Sequence, residues 1–453
     1  MSPSWLLDRL RGFRCRPALV WQGRDYSYLE LLQAVGQWSE HLAAAGIRAG
    51  ECVGLRGTYS PAACSLLLAL IDNRNIIVPL SGKVDKDVGS LLDVAGVSAV
   101  FSFDAQDAWT SKRRQVSQEH ALFQDLRDRH AAGLILFTSG STGVSKAALL
   151  DFDRLLQRFT KQGTAYRTLI FMEPDHIGGI NTLFHVLCAG GTIIPVSERT
   201  PHDVCRTIEL HRAQLLPTTP TFLTMLLMSE AYRRFDLSPL ELITYGTEPM
   251  PASTLQALNK AFPNIRFKQT YGLSEVGILP TASEDSRSLW LKMGGAGCET
   301  KVVEGVLWIR AETAMLGYLN APSPFDVDGW LNTGDVVVTK GDYLRILGRA
   351  SEAINVGGEK VFPAEVESVL LQVSNVREAT VYGRPNPVTG NVVAAAVRLF
   401  QPEDPEGLEQ RVRQFCKGRL ERYKVPVVVE LGETEQHNAR FKKIRNPPES
   451  FAP

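Results

Sequence analysis

The chain has 453 residues, too many for one ordinary core, so two or three domains are expected. Hydrophobic residues make up 44%, charged residues 22%, and 49 Lys+Arg balance 49 Asp+Glu. This excludes a disordered chain and removes electrostatic attraction as a reason to expect nucleic acid or an anionic membrane as partner.

In chain order, Met1 to Val20 lacks the apolar stretch of a signal peptide. Tyr28 to Ala43 repeats Leu31, Leu32, Val35, Trp38 and Leu42 at helical spacing. Cys52 to Leu55 and Ile76 to Pro79 read as short apolar strands. Between them Ala62 to Ile71 is apolar for about half the length of a membrane crossing, so a buried helix is expected and membrane insertion is not. Strand patterns follow at Leu134 to Phe137, Thr168 to Met172, Thr192 to Val196 and Leu242 to Tyr245. Strands alternating with helices predict layered α/β architecture with a largely parallel sheet.

The pattern changes near Gly348. A helix over Pro363 to Val373, strands over Glu378 to Tyr382 and Val392 to Phe400, and a helix over Leu408 to Leu420 predict a compact α+β unit. The expected division is therefore a large α/β domain, residues 1–348, and a small one, residues 349–453. The seven cysteines form no C-x-x-C pair and no metal-ligand spacing, which suits reduced thiols in the cytoplasm.

The strongest local signal is Leu134-Ile-Leu-Phe-Thr-Ser-Gly-Ser-Thr-Gly-Val-Ser-Lys146. An apolar strand enters a run of small residues, Thr138, Ser139, Gly140, Ser141, Thr142 and Gly143, and the run closes on Lys146. Glycines let backbone N–H groups turn toward an anion, hydroxyls donate further, and the lysine supplies charge. This predicts a loop around nucleotide phosphates; a plain Ser/Gly turn between strands is the alternative. It is not the ordinary P-loop, because no Gly-Lys-Ser/Thr ending opens a helix.

This run resembles T-S-G-[S/T]-T-G-x-P-K-G of the acyl-adenylate-forming superfamily, which includes acyl- and aryl-CoA ligases, peptide-synthetase adenylation domains and luciferases. Ser145 replaces the usual Pro and Ala147 the usual Gly. Gln269-Thr-Tyr-Gly-Leu-Ser-Glu275 is similar to Q-x-Y-G-x-T-E, with Ser274 keeping the hydroxyl. The resemblance implies that Glu275 coordinates Mg²⁺ and that Tyr271 and Gly272 lie beside adenine and the acyl pocket. Asn332-Thr-Gly-Asp335 resembles the segment whose Asp grips the ribose hydroxyls, and Arg349 resembles the arginine near ribose and phosphate. Gly246-Thr247-Glu248-Pro249 resembles the Gly-Gly-Ala-Pro lining of the nucleotide site, with Glu248 expected as a helix-start carboxylate facing solvent. Phe441-Lys-Lys-Ile-Arg445 resembles the terminal Gly-Lys segment, making Lys443 the expected adenylation lysine and Lys442 the alternate.

What the resemblance implies is an ATP-dependent acid–thiol ligase using Mg²⁺. A carboxylate attacks the α-phosphate, pyrophosphate leaves, and the acyl-adenylate passes its acyl group to coenzyme A or to a carrier-protein phosphopantetheine. The small domain would then rotate about Ser351, bringing Gly357 and Gly358 to the thiol tunnel. Pro174-Asp175-His176-Ile-Gly-Gly179 loosely resembles P-x-x-H-x-x-G, which makes His176 the gate between acyl pocket and tunnel and points to an acid without an α-amino group. A nucleotide-binding protein without catalysis is the reading from another class.

Overall fold

The computed structural model describes residues 4–82, 88–116, 119–139, 145–196, 198–432, 437, 441 and 443. Gly140, Ser141, Thr142, Gly143 and Lys442 lie outside them.

Ser27 and Glu30 form a reciprocal capping box that starts helix Tyr28–Ala44, and Tyr28, Leu31, Val35, Trp38 and Leu42 make its buried stripe. Helix Pro61–Asp72 begins on a proline after the Ser60 cap and buries every residue from Ala63 to Ile71. An all-round apolar helix of this length belongs in a core. Among the described residues no helix is long and apolar enough to cross a membrane.

Two seven-stranded sheets carry most of the large domain. The first runs, in spatial order, Arg266–Gln269, Leu242–Tyr245, Leu215–Thr218, Arg167–Ile170, Thr192–Pro195, Pro17–Trp21 and Arg24–Ser27. Every neighbouring pair but the last is parallel. The second runs Gly317–Tyr318, Ser145–Asp151, Gly133–Ser139, Ile76–Leu80, Cys52–Arg56, Ala99–Phe103 and Trp109–Arg113. Its centre is parallel and its margins antiparallel. The strand expected over Thr168 to Met172 stops at Ile170, because its partner there is Pro195, whose nitrogen has no hydrogen to extend the ladder.

A third sheet, six-stranded and antiparallel, is built from strands between Thr281 and Arg349. The α/β expectation did not separate it from the parallel layers. Its strand Leu331–Lys340 begins with alternating burial, one face on its own apolar cluster and the other toward solvent.

The C-terminal unit has its own hydrophobic cluster, running from Ile354 to Val429. It contains helix Pro363–Leu370, hairpin Val376–Asn386 with Gly390–Leu399, helix Pro405–Cys416 and strand Val428–Leu431. The first helix ends at Leu370 rather than Val373: the Gln372 and Val373 amides donate to Val369 and Leu370, tightening the chain while keeping Val373 buried. The second ends at Cys416 rather than Leu420, where Lys417 turns to extended backbone.

Candidate active site

Strands Gly133–Ser139 and Ser145–Asp151 pair antiparallel, with Thr138 opposite Lys146 and Ser139 opposite Ser145. Lys146 thus lies near the start of the returning strand, opposite the Thr138 end of the phosphate-loop run. The Asn320 side chain clamps that strand, accepting from the Ala147 amide and donating to the Ser145 carbonyl, each at 2.9 Å. The Lys146 ammonium lies 5.3 Å from the centre of the Tyr318 ring and pairs with no carboxylate among the described residues. Such a cation has its charge available for an anion.

Tyr318 reaches the other half of the site. Its hydroxyl donates to Glu275 Oε1 at 2.6 Å. Burial, then that hydrogen bond, pushes the phenol well above its ordinary range, so it remains a donor. Ser274 and Glu275 occupy the turn between Gly272–Leu273 and Gly277–Ile278, and the Glu275 carbonyl accepts from the Met315 amide. Segment 313–320 therefore fastens the Glu275 turn to the Lys146 strand.

Tyr271 begins the same turn. Its hydroxyl donates to Asp335 Oδ2, and Arg349 Nε lies 2.7 Å from Asp335 Oδ1. Asp335 and Arg349 face each other across an antiparallel ladder, which brings together residues far apart in the chain. Burial first, and the Asp335 charge second, hold the Tyr271 phenol far above its usual range.

Gly246 sits where an added Cβ would come 2.6 Å from Thr270 Oγ1, and at Gly272 one would come 2.5 Å from Ile278 Cδ1. Both glycines are required by protein packing. Thr247 has φ +76°, a left-handed conformation unfavourable for a β-branched residue. Glu248 does not face solvent as a cap of its own helix. Its Oε1 accepts from the Thr221 amide at 2.8 Å, capping helix Pro220–Ser229, and its Oε2 accepts from the Lys443 amide at 3.3 Å.

Lys443 arrives on an arm that docks against the large domain. The Phe441 ring packs on Phe171 and Phe222 with centroids 5.3 and 5.8 Å away, and its carbonyl accepts from Thr219. The Lys443 ammonium lies 3.3 Å from Glu367 Oε2, a carboxylate on helix Pro363–Leu370 that is 1% exposed. Gly357 and Gly358 sit at the exposed tip of a hairpin, both with positive φ. Ser351 lies in the short turn Ala350–Glu352 and is exposed.

His176 caps helix Ile177–Ala189, its Nδ1 accepting from the Gly178 amide at 3.0 Å. Asp175 is buried and accepts from Ser81. Nearby, the Tyr59 hydroxyl is buried with no hydrogen-bond partner among the described residues, and a Cβ at Gly179 would come 2.4 Å from it.

Sequence reasoning did not single out Tyr318, Asn320, Tyr59 or Glu367. The Leu-Gly-Tyr-Leu-Asn run, residues 316–320, is unremarkable in composition, and Glu367 reads as an ordinary helix carboxylate.

The site suits ATP and Mg²⁺. Among the described residues Lys146 has no carboxylate partner, and Thr218 Oγ1 and Gln269 Oε1 are buried acceptors without partners on strands flanking Tyr245. Among the described residues no cluster of three His, Cys, Asp or Glu could hold a metal alone. A single carboxylate matches the requirement of Mg²⁺, which takes most of its ligands from phosphate and water.

A family model described as AMP-binding enzyme matches residues 7–319, and one described as AMP-binding enzyme C-terminal domain matches residues 365–442. A 2-succinylbenzoate–CoA ligase of Bacillus pumilus is 28% identical, over 98% of this chain and 97% of its own. A feruloyl-CoA synthase of Amycolatopsis sp. is 27% identical over 94% of each chain. Among solved structures, the anthranilate–CoA ligase AuaEII in complex with anthranoyl-AMP superposes with a TM-score of 0.82 at 21% identity, covering 97% of this chain and 95% of that one.

Proposed function

Because the chain belongs to the AMP-binding enzyme family, we propose that it is an AMP-forming acid–CoA ligase acting on an aryl or acyl acid without an α-amino group. The activities named for its relatives, on 2-succinylbenzoate and ferulate, support an aryl acid and coenzyme A. The observation that carries the reading is the meeting of Lys146 and Glu275 through Tyr318.

A carboxylate is a poor nucleophile, and the α-phosphate it attacks is surrounded by negative charge. Catalysis therefore needs cations and in-line positioning more than proton transfer. Lys146 and the run Thr138 to Gly143 before it hold the terminal phosphates of ATP. Glu275, oriented by Tyr318, is the carboxylate for Mg²⁺, which when bound neutralises phosphate charge. Asp335 accepts from the ribose hydroxyls, its oxygens aimed by Tyr271 and Arg349. Lys443 leaves Glu367 to bridge the incoming carboxylate and the α-phosphate. Rotation about Arg349 to Ser351 then withdraws the arm and brings Gly357 and Gly358 to the pantetheine, with His176 at the gate. All seven cysteines are free thiols, which agrees with a cytoplasmic setting.

Pyrophosphate release with ATP and Mg²⁺ tests this across aryl, short-chain and long-chain acids, with and without CoA. A burst for aryl acids that CoA converts to steady turnover is expected. A burst that CoA leaves unrelieved transfers the acceptor role to a carrier-protein phosphopantetheine. No release with any acid overturns the ligase assignment.

A further inference from the structure

The segment that carries Lys443 meets the large domain at a socket assembled from distant parts of the chain. Phe171 follows strand Arg167–Ile170, Arg199 precedes helix Pro201–His211, and Phe222 lies in the first turn of helix Pro220–Ser229. The rings of Phe171 and Phe222 lie 4.7 Å apart between centres, and both residues are almost wholly buried. The half-buried Phe441 ring closes over the pair, edge-on to Phe222. The Arg199 guanidinium, held 2.7 Å from Glu173 Oε1, lies 5.8 Å from the centre of the Phe171 ring and 5.7 Å from that of Phe441. Two tilted rings with a fixed cation at their edge favour a third ring over other apolar side chains.

Polar contacts fix the backbone on both sides of Lys442. Thr219 Oγ1 accepts from the Phe222 amide and donates its own proton to the Phe441 carbonyl, each at 3.1 Å. Glu248 accepts from the Thr221 amide through one oxygen and from the Lys443 amide through the other. The groups that cap helix Pro220–Ser229 are thus the same groups that hold the chain at 441 and 443. Two residues span at most about 7 Å, so fixing both points leaves Lys443 chiefly the freedom of its side chain. His437 folds back on the same ring, pairing with Lys443 in an antiparallel bridge and stacking on Phe441 at 5.4 Å.

Phe441 has φ +54°, in the left-handed region that a bulky side chain avoids. A glycine would adopt it freely, yet the chain places a phenylalanine there. Such a conformation persists where surrounding contacts over-determine it. Here those contacts are the ring socket and the Thr219 hydrogen bond.

We propose that Phe441 is a positioning residue for adenylation. Its ring, seated against Phe171, Phe222 and Arg199, holds the segment on the large domain. Lys443 then exchanges Glu367 for the reacting carboxylate and α-phosphate by turning its side chain alone. This role rests on the ligase reading, whereas the docking of Phe441 does not. A ring that merely filled space would serve adenylation and thiolysis alike. A ring that seats Lys443 serves only the step in which Lys443 works.

The test compares wild type with Phe441→Ala, Phe441→Gly and Phe441→Leu. Glycine relieves the left-handed turn but lacks the ring, and leucine restores part of the apolar bulk. In pyrophosphate release, kcat should fall about thirtyfold in the alanine and glycine variants, with KM for acid and ATP moving less than about twofold. Leucine should return kcat to within about fivefold of wild type. Acyl transfer from synthetic acyl-adenylate to CoA should stay within about twofold in all three. Equal losses in the two half-reactions show a ring that only stabilises the fold, and wild-type adenylation by Phe441→Gly shows that the turn alone matters. Either result overturns the proposal.

If no acid releases pyrophosphate, the ligase reading has failed, and tryptic cleavage after Lys443 decides the docking. Glu248 holds the Lys443 amide and Glu367 its ammonium, so cleavage of the docked segment is slow. A rise of about tenfold in Phe441→Ala and Phe441→Gly supports Phe441 as the anchor. Cleavage at the wild-type rate overturns it.

Discussion

The two lysines assigned to the reaction are held in opposite ways. Lys146 belongs to a regular antiparallel ladder, its strand is clamped by Asn320, and its ammonium lies over Tyr318 without a counter-ion among the described residues. Lys443 lies beyond Phe441, whose ring packs on Phe171 and Phe222; its amide donates to Glu248, and its ammonium is already paired with the buried Glu367. A cation that serves a bound phosphate can be built into a sheet and left uncommitted. A cation that must enter and leave needs a resting partner, and Glu367, whose carboxylate also accepts from the Val381 amide and so keeps a partner when the lysine departs, supplies it.

Substitutions can break this contrast. The largest effect is expected from Lys443→Ala, which should slow adenylate formation by about 10²–10³-fold while ATP binding and thiolysis of supplied acyl-adenylate stay near wild type. Single-turnover pyrophosphate release and acyl-CoA formation from synthetic adenylate separate these steps. If Lys442→Ala has that effect instead, the register of the arm is off by one.

Tyr318→Phe removes the donor to Glu275 and keeps the ring under Lys146. Its expected cost is about 1 kcal/mol, roughly fivefold in adenylation, with a raised Mg²⁺ requirement in a metal titration. A normal Mg²⁺ dependence would show that Glu275 needs no alignment.

Thr247→Gly tests the surface beside which the arm docks. Relief of a left-handed β-branched residue should offset the added chain entropy and stabilise the protein by roughly 1 kcal/mol, read as a higher urea midpoint. Lower activity in that variant would show that the strained turn helps to position Glu248 and the arm.

The smallest expected effect concerns His185. Burial first, then Arg158 and Lys268, holds its folded pKa below the ordinary value of 6.5. The unfolded chain therefore binds the proton more readily, and the contribution is present above pH 6.5 and lost as pH falls through the lowered folded pKa. Lys268→Met should make acid unfolding begin at lower pH.

Much of this was legible in the chain. Periodicity located helices Tyr28–Ala44 and Pro61–Asp72, because burial of one stripe, or of all sides, writes its own repeat. The resemblance pointed to Thr138 to Lys146, Tyr271, Glu275, Asp335, Arg349 and Lys443, since local chemistry needs particular residue types at fixed short spacings. Helix ends were misjudged at Val373 and Leu420, where burial continues after helical hydrogen bonding stops. Glu248 was misread because its partners, the amides of Thr221 and Lys443, are distant in the chain.

The sequence by itself determined the α/β elements, which depend on neighbours within about a dozen residues, and the family, through short motifs in fixed order along the chain. Only the tertiary structure decided that Tyr318 joins Lys146 to Glu275 and that Glu367 receives Lys443. Each is a pairing of side chains from separate strands or helices. Its energy depends on distance and burial, and one-dimensional order does not encode either.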